Sequence, residues 1–247
     1  MSASLRQKQI LDIIEESGAV SVRALVKMLY VSEATVRRDL AELEKQGAIK
    51  RNFGGAVSTR EVNRQVPLFI REALNSSSKN EICRKAAELV KDGDTVFIDG
   101  SSTAQHLVKY ISHLKDITVV TYSIKTAELT CQSHIKTYCV GGLLLENSLV
   151  CTGHKAIELA QSFNTDVCFV SCKGFSADGR FTDTSEEETS VRHAFMKNSR
   201  CTAMLMTSNK YGNVYLHTLC RAEDVDFVFS ETDVPTAILE KLKKNRD

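Results

Sequence analysis

The ten residues Val31–Leu40, which read VSEATVRRDL, decide the fold of the N-terminal part of this chain. Ser32 is a favourable N-cap, and Glu33 follows in the first turn, where the helix dipole stabilises an anion. Apolar residues then recur at the spacing of one helical face, at Val36, Leu40 and Leu43. This pattern predicts a helix over Glu33–Gln46 that buries one stripe and leaves its other face polar.

Two shorter helical patterns precede this segment. Leu5–Glu16 carries an apolar stripe and stops at Ser17-Gly18, because glycine takes the left-handed C-cap conformation without steric cost. Ser21 can cap a second helix, whose apolar residues again have helical spacing: Val22, Leu25, Val26 and Leu29. Two short helices that are joined by a tight turn and preceded by a third helix predict a helix-turn-helix.

The polar face of the third helix carries the chemistry. Thr35, Arg37 and Arg38 lie near its N-terminal end, which is the end that enters the major groove in a helix-turn-helix. Arginine can bind guanine through two hydrogen bonds, and Ser or Thr can reach phosphates or base edges. In an alternative interpretation the helices form a solvated packing module, in which both arginines pair with nearby carboxylates, namely Glu33, Asp39 or Glu42.

A β-wing is predicted directly after this helix. Ala48–Val57 can form a short strand, a tight turn at Gly54-Gly55 and a second strand, with Lys50 and Arg51 against the sugar-phosphate backbone. Residues 1–60 hold ten basic and seven acidic residues, whereas the rest of the chain holds 22 and 24. The basic excess therefore lies in the small N-terminal domain, which we place at residues 1–58. The predicted DNA-contacting residues are Ser21, Ser32, Glu33, Thr35, Arg37, Arg38, Lys50, Arg51, Gly54 and Gly55.

The composition of the 247 residues is that of a globular protein, with 43% hydrophobic and 26% charged residues. No apolar run reaches the roughly 20 residues that span a bilayer, and the N-terminus is polar, so we expect a cytoplasmic protein without a membrane partner. The eight cysteines are scattered and form no Cys-x-x-Cys pair. We expect them to be small buried hydrophobic residues, and we expect no metal site.

A linker is predicted over residues 59–78, followed by an effector-sensing domain over residues 79–247. The linker holds Pro67 and the run Ser76–Ser78, and a short helix is expected over Leu68–Leu74. Beyond it, short apolar strands alternate with helical patterns, which predicts an open, Rossmann-like α/β domain whose parallel sheet is covered on both faces. The expected strands are Thr95–Ile98, Ile117–Val120, Thr137–Val140, Val167–Ser171, Cys201–Met206 and Val225–Phe229.

The loops that follow these strands predict an anion-binding crevice. Ligands of parallel sheets bind beyond the carboxyl ends of the strands, where glycines, hydroxyls and helix N-termini suit a phosphate. The predicted effector-binding residues in these loops are Asp99, Gly100, Ser101, Ser102, Thr103, Thr121, Tyr122, Ser123, Gly141, Gly142, Lys173, Gly174 and Lys210. Taken singly, each of them could instead be a helix cap, a turn glycine or a solvated lysine.

The N-terminal segment resembles the DNA-binding domain of the DeoR family of bacterial regulators. The resemblance rests on Val31–Leu40, Gly47–Arg51 and Gly54–Ala56, and it implies that Ser32–Gln46 is the recognition helix. Over residues 79–232 the chain is similar to the sensor domain of the same family. That domain is similar to the ribose-phosphate isomerase and CoA-transferase folds, and it binds phosphorylated sugars or related metabolites.

The second resemblance also assigns residues. It places the family's aspartate-to-threonine loop on Asp99–Thr103, and a glutamate before the late helix on Glu188, which joins the predicted effector residues. The chain departs from the family pattern where Tyr122 replaces an asparagine. Further departures are at Cys172-Lys173, Thr207 and Asn209. Tyr122 would enlarge and stiffen one wall of the crevice, which implies an effector unlike those of close relatives.

Together these patterns predict a sequence-specific transcription regulator of carbohydrate metabolism, more often a repressor in this family, that is controlled by a phosphorylated sugar. A homodimer or homotetramer would place two recognition helices in successive major grooves of double-stranded operator DNA. Neither catalytic residues nor a cofactor are expected. One alternative is a phosphosugar isomerase or acyl-CoA transferase that uses Asp99, Glu188 and Lys210 as acid and base. Another is a DNA-binding protein that ignores metabolites.

Overall fold

The chain folds into two compact units, residues 1–75 and 76–247. The structure is a computed structural model, and it describes residues 3–17, 19–52, 55–58, 68–73, 75–240 and 242. The boundary between the units falls within the predicted linker 59–78, of which residues 59–67 lie outside the described residues. Among the described helices, none is both long enough and apolar enough to cross a bilayer.

The first unit is a helix-turn-helix with a three-stranded sheet. Its elements are α1 (Ala3–Ser17), β1 (Ala19–Ser21), α2 (Val22–Leu29), α3 (Glu33–Lys45), β2 (Ile49–Asn52), β3 (Gly55–Ser58) and α4 (Leu68–Ala73). The three predicted helices and both strands of the wing form. Strand β1 was not predicted, because three residues are too short to show an alternating pattern. It pairs antiparallel with β3, so that the sheet order is β1-β3-β2.

One apolar cluster holds this unit together. It joins the buried stripes of α1, α2 and α3 to residues of the wing strands. Its fully buried members include Ile10, Leu25, Val36, Leu40 and Ile49. The polar face of α3 is thereby turned away from the core, as the period of its sequence requires.

The second unit is an α/β domain. Its elements are α5 (Ser76–Ala86), β4 (Thr95–Ile98), α6 (Leu107–Ile111), β5 (Thr118–Thr121), α7 (Ile124–Gln132), β6 (Lys136–Cys139), β7 (Leu143–Leu145), β8 (Val150–Thr152), α8 (His154–Ala160), β9 (Thr165–Ser171), β10 (Gly174–Phe175), β11 (Arg180–Asp183), α9 (Glu186–Lys197), β12 (Ser199–Leu205), β13 (His217–Arg221), β14 (Phe227–Phe229) and α10 (Thr236–Leu239). A 3₁₀ turn, Ala104–His106, precedes α6, whereas the helical pattern of the sequence predicts one helix over Thr103–Ile111.

Six strands form one parallel sheet in the order β14-β12-β9-β4-β5-β6. Successive side chains of β4 enter opposite layers: Phe97 packs in one apolar cluster, and Val96 and Ile98 in the other. The strand order runs outward in both directions from β4 and β9. A crevice is expected at this switch point, outside the carboxyl ends of the two strands.

Five strands outside the main sheet were not predicted. β7 and β8 form a hairpin, and β10, β11 and β13 form a small antiparallel sheet. Four of them have only two to four residues, so their periodicity is invisible in the sequence.

The expectation that all cysteines are buried is wrong for two of them. Cys131 and Cys139 are exposed, and Cys201 is half-buried. Cys139 ends β6, an edge strand of the sheet, which explains its exposure.

Candidate functional sites

The N-terminal end of α3 presents polar side chains to solvent. The Ser32 hydroxyl accepts a hydrogen bond from the Thr35 amide at 3.2 Å and caps the helix. The hydroxyls of these two residues also lie 2.8 Å apart. Glu33, Arg37 and Arg38 are exposed. The helix therefore offers two cations and a hydroxyl pair on one face, as a recognition helix requires.

Arg37 pairs with Glu33 one turn earlier, at 2.9 Å through Nε and 2.7 Å through Nη2. This contact was part of the alternative interpretation. Both side chains are more than half exposed, and such a pair contributes little stability, so Arg37 can exchange this partner for DNA. Of the other two partners named in that interpretation, Asp39 is buried and pairs with Arg6 of α1, and Glu42 accepts a hydrogen bond from the Gln46 side chain at 2.9 Å. The alternative interpretation is therefore wrong about Asp39.

The wing residues have mixed surroundings. The Arg51 amide donates to a Glu44 carboxylate oxygen at 2.9 Å, and its guanidinium lies 3.8 Å from the same carboxylate. Lys50 lies on β2, next to it. Ser21 caps α2 by accepting from the Ala24 amide at 3.1 Å, and it is exposed. Gly54 lies outside the described residues.

Gly55 has a structural reason to be glycine. A Cβ atom at this position would lie 2.3 Å from the carbonyl oxygen of Val20, which lies in the neighbouring strand β1. The close approach of β1 to β3 therefore explains Gly55 without any DNA contact.

In the second unit, Asp99 joins the two strands at the switch point. One carboxylate oxygen accepts from the Ser171 amide at 2.8 Å, and the other accepts from the Ser101 amide at 2.9 Å. Burial raises the pKa of Asp99, and the charge of Arg192 and these hydrogen bonds only partly offset this. Asp99 thus ties β9 to the loop after β4, and both of its oxygens already have partners.

Ser171, at the end of β9, receives side chains from two further segments. Its hydroxyl donates to the Leu205 carbonyl of β12 at 2.6 Å and accepts from Lys210 Nζ at 3.1 Å. Its carbonyl accepts from Arg192 Nη1 at 2.7 Å. The ends of β4, β9 and β12 and the helix α9 therefore converge on one serine.

Arg192 is the main site residue that the sequence analysis missed. It is 3% exposed, and its Nη2 lies 3.0 Å from an Asp183 carboxylate oxygen. Burial opposes the charged forms, but the mutual attraction outweighs it, so that the pKa of Arg192 is raised and that of Asp183 is lowered. The sequence carries no local signal for it, because its burial follows from the packing of α9.

Lys173 extends the charged cluster, and Lys79 is a buried lysine on α5. Lys173 bonds the Thr184 hydroxyl and lies 3.9 Å from Asp183. Lys79 was placed at the domain boundary rather than in the site, yet it is 6% exposed. It lies one turn before Cys83, whose thiol donates to the Thr103 carbonyl at 3.1 Å.

The hydroxyls of the first two predicted loops mostly serve the protein itself. Thr121 donates to the Ile98 carbonyl at 2.7 Å, and Ser123 caps α7 by accepting from the Thr126 amide at 3.2 Å. Ser101 accepts from the Ala104 amide at 2.9 Å, and Ser102 and Thr103 are buried. Glu188 is half-buried in the first turn of α9, where its carbonyl accepts from Arg192 at 3.3 Å.

Tyr122 differs from its neighbours in sequence. Its side chain is fully buried, and its ring is nearly parallel to that of Phe97 at a centroid distance of 6.0 Å. Its hydroxyl makes no hydrogen bond within the described part of the chain.

Three of the four predicted effector glycines are explained by close packing. A Cβ atom would lie 2.2 Å from Val150 Cγ1 at Gly100, 2.4 Å from the Thr152 carbonyl oxygen at Gly142 and 2.3 Å from the Asn213 carbonyl oxygen at Gly174. Gly141 has open space around it and is exposed. Gly141 and Gly142 precede the β7–β8 hairpin, and no hydrogen bond of the described residues links them to Ser171. Their effector role stays a prediction.

Two segments of the chain match known domain families. Residues 6–62 match the DeoR-like helix-turn-helix domain, and residues 74–232 match the DeoR C terminal sensor domain. This chain belongs to the DeoR family. It is a transcription regulator with a helix-turn-helix DNA-binding domain and an α/β sensor domain.

Two curated regulators are similar to this chain over nearly their whole length. The chain is 30% identical to the uncharacterized HTH-type transcriptional regulator YulB of Bacillus subtilis, covering 100% of this chain and 95% of that protein. It is 27% identical to the glycerol-3-phosphate regulon repressor of Escherichia coli, covering 98% and 96%. Among solved structures, it is similar to ribose 5-phosphate isomerase A from Methanocaldococcus jannaschii, with 15% identity and a TM-score of 0.42, covering 56% and 55%.

Proposed function

We propose that this DeoR family member is a repressor of genes of carbohydrate metabolism, and that a phosphorylated sugar bound in the crevice around Ser171 controls its affinity for operator DNA. The main support for this proposal is that Lys210 and Arg192 both bind Ser171 at the switch point of the sheet. Cations at the carboxyl ends of parallel strands suit an anionic ligand. A relative is named for the glycerol-3-phosphate regulon, which supports an effector of this class.

The two units would communicate by linkage. An effector shifts operator binding only if its affinity differs between the DNA-bound and the free arrangement of the protein. We propose a homodimer or homotetramer, because paired recognition helices read half-sites one helical turn apart. Sedimentation equilibrium tests this, and a monomer at the concentration that saturates the operator would contradict it.

The first experiment identifies the two ligands. A duplex selected from a random library supplies the operator, and thermal unfolding with a panel of sugar phosphates finds the effector, because a ligand that binds the folded state raises Tm. Operator affinity is then measured by fluorescence anisotropy with and without each hit. The proposal fails if no sugar phosphate changes both the Tm and the operator affinity.

Lys210→Met tests the crevice itself. We expect an unchanged operator affinity and an effector affinity at least about tenfold lower, because a charge-assisted hydrogen bond is lost. Lys155→Met is the matched control, since Lys155 is 82% exposed on α8. An effector response of normal affinity in Lys210→Met would contradict the assignment. Asp99 is a poorer test residue, because it holds β4 and β9 together.

We also propose that the chain has no phosphosugar isomerase activity. An assay of ribose 5-phosphate isomerisation by the purified protein distinguishes the regulator from the enzyme alternative. Turnover that is lost in Lys210→Met would favour the enzyme.

A further inference from the structure

The hydroxyl of Tyr122 is a buried polar group that folding does not explain. The side chain is 0% exposed, and the hydroxyl has no hydrogen-bond partner among the residues that the structure describes. Burying a hydroxyl without a partner is unfavourable, and buried polar groups in native proteins nearly always have one. A phenylalanine would fill the same space and keep the stacking on Phe97. The hydroxyl therefore needs a reason outside the packing of the core.

The position of Tyr122 supplies that reason. It directly follows β5 at the carboxyl edge of the sheet, between two residues whose hydroxyls are used within the protein, Thr121 and Ser123. The charges of Arg192, Glu188 and Asp99 act on it there. Since β5 pairs with β4 and Tyr122 follows β5 as Asp99 follows β4, the two residues lie at the same edge of the sheet, on the side where Asp99 meets Ser171.

The protonation state of the group is clear. Burial raises the pKa of Tyr122 well above its ordinary value, and the nearby carboxylates add to this, while the charge of Arg192 opposes it. At neutral pH the phenol keeps its proton. It is a neutral hydrogen-bond donor at the border of the apolar cluster that contains Phe97, and it can donate to an uncharged oxygen of a ligand.

We propose that Tyr122 is a specificity-determining residue whose hydroxyl donates a hydrogen bond to a hydroxyl or carbonyl oxygen on the carbon skeleton of the effector, while the phosphate is bound by the cations of the same crevice. This inference rests on the proposed function, since it takes the crevice to be the effector site. Beyond the proposed function, it names the part of the effector that Tyr122 contacts, which is an oxygen of the carbon skeleton.

The hydroxyl can first be tested without any ligand. Tyr122→Phe removes only the unpartnered hydroxyl, so its Tm should equal or exceed that of the wild type. Tyr110→Phe is the matched control, because the Tyr110 hydroxyl donates to the Asn80 side chain at 3.1 Å. Its Tm should fall by about 2–4 °C for the loss of one hydrogen bond. A comparable fall in Tyr122→Phe would mean that the hydroxyl already has a protein partner, which would overturn the inference.

The second test measures ligand selectivity by calorimetric titration. The probes are inorganic phosphate, glycerol 3-phosphate, ribose 5-phosphate, fructose 6-phosphate and glucose 6-phosphate. In Tyr122→Phe the affinity for the best sugar phosphate should fall by about 5- to 20-fold, as the loss of one hydrogen bond predicts. The affinity for inorganic phosphate should stay within twofold. Tyr110→Phe should change neither affinity.

The outcomes separate the two proposals. An affinity for the sugar phosphate within twofold of the wild type in Tyr122→Phe overturns the role of Tyr122 and leaves the proposed function standing. An equal loss for inorganic phosphate and for the sugar phosphate also overturns it, because the group would then act on the phosphate. If no probe binds the wild type, the proposed function fails and the inference falls with it.

Discussion

Helix α3 and the charged cluster around Ser171 each contain an arginine, but they hold it in opposite ways. Arg37 is more than half exposed and pairs with Glu33 on its own helix. Arg192 is 3% exposed and is bound by Asp183 and by the Ser171 carbonyl. An exposed pair costs little to open, whereas a buried pair cannot be broken cheaply. One arginine is thus available to a partner molecule, and the other is committed to the fold of its site.

The largest expected effect breaks the buried pair. Arg192→Leu removes the donor to the Ser171 carbonyl and to one Asp183 carboxylate oxygen, and it leaves the buried Asp183 charge without its closest cation. It should lower the free energy of unfolding by about 3–5 kcal/mol. Urea denaturation measures it. The double variant Arg192→Leu/Asp183→Leu should recover a large part of this loss, since a buried pair can often be replaced by apolar residues. A single variant that loses less than about 1 kcal/mol would show that the pair is not committed to the fold.

The next effect tests the exposed arginine. Arg37→Ala should weaken binding to the selected operator by about 10- to 100-fold and relax its sequence preference, as the loss of one bidentate base contact predicts. The stability should change by less than about 0.5 kcal/mol, because the side chain is exposed. Arg200→Ala is the control, since Arg200 is 85% exposed in the other unit. Equal effects of both substitutions on operator affinity would remove Arg37 from the interface.

Two glycines of the second unit give a comparison of buried with exposed positions. Gly174→Ala would bring a Cβ atom to 2.3 Å from the Asn213 carbonyl oxygen, and should cost about 1–3 kcal/mol of stability. Gly141→Ala meets no atom within 4 Å and should be within about 0.5 kcal/mol of the wild type. Thermal unfolding of both variants measures the difference. Similar melting temperatures would contradict the packing explanation of Gly174.

The smallest effect concerns the turn before the recognition helix. Tyr30 adopts the left-handed conformation (φ 54°, ψ 42°) and is 93% exposed. Tyr30→Gly relieves the steric cost of that conformation and should stabilise the first unit by about 0.5–1 kcal/mol. Urea denaturation followed by a probe in this unit checks it. A loss of stability would mean that the exposed ring has packing contacts.

The first unit could be predicted from the sequence to within a residue or two. α2 and α3 have N-caps at Ser21 and Ser32 and apolar stripes of the right period, and Gly47 follows the end of α3, so local signals and tertiary structure agree. Strand β1 is the exception, because its three residues are recognisable only from the pairing with β3.

The candidate site could be predicted only in outline. Loops after parallel strands meet at one edge, so the sequence predicts that Asp99 and Lys210 lie close together, and both contact Ser171. Their effector role stays a prediction. Arg192 could not be assigned in the same way, because a charged residue on a helix is ordinarily solvated, and only the packing of α9 shows that it is buried. Likewise, no local pattern separates a glycine that faces a ligand from one, such as Gly142, that faces a carbonyl oxygen.

Ser171 also matters for engineering this protein to respond to a different effector. Its amide, carbonyl and hydroxyl are bound by Asp99, Arg192 and Lys210. A library that randomised this serine would mostly select against misassembled crevices rather than for altered ligand preference. Substitutions are better introduced at positions such as Tyr122, whose hydroxyl makes no hydrogen bond within the described part of the chain. In a biosensor built on this chain, Ser171 would be kept unchanged while neighbouring positions are varied to alter ligand selectivity.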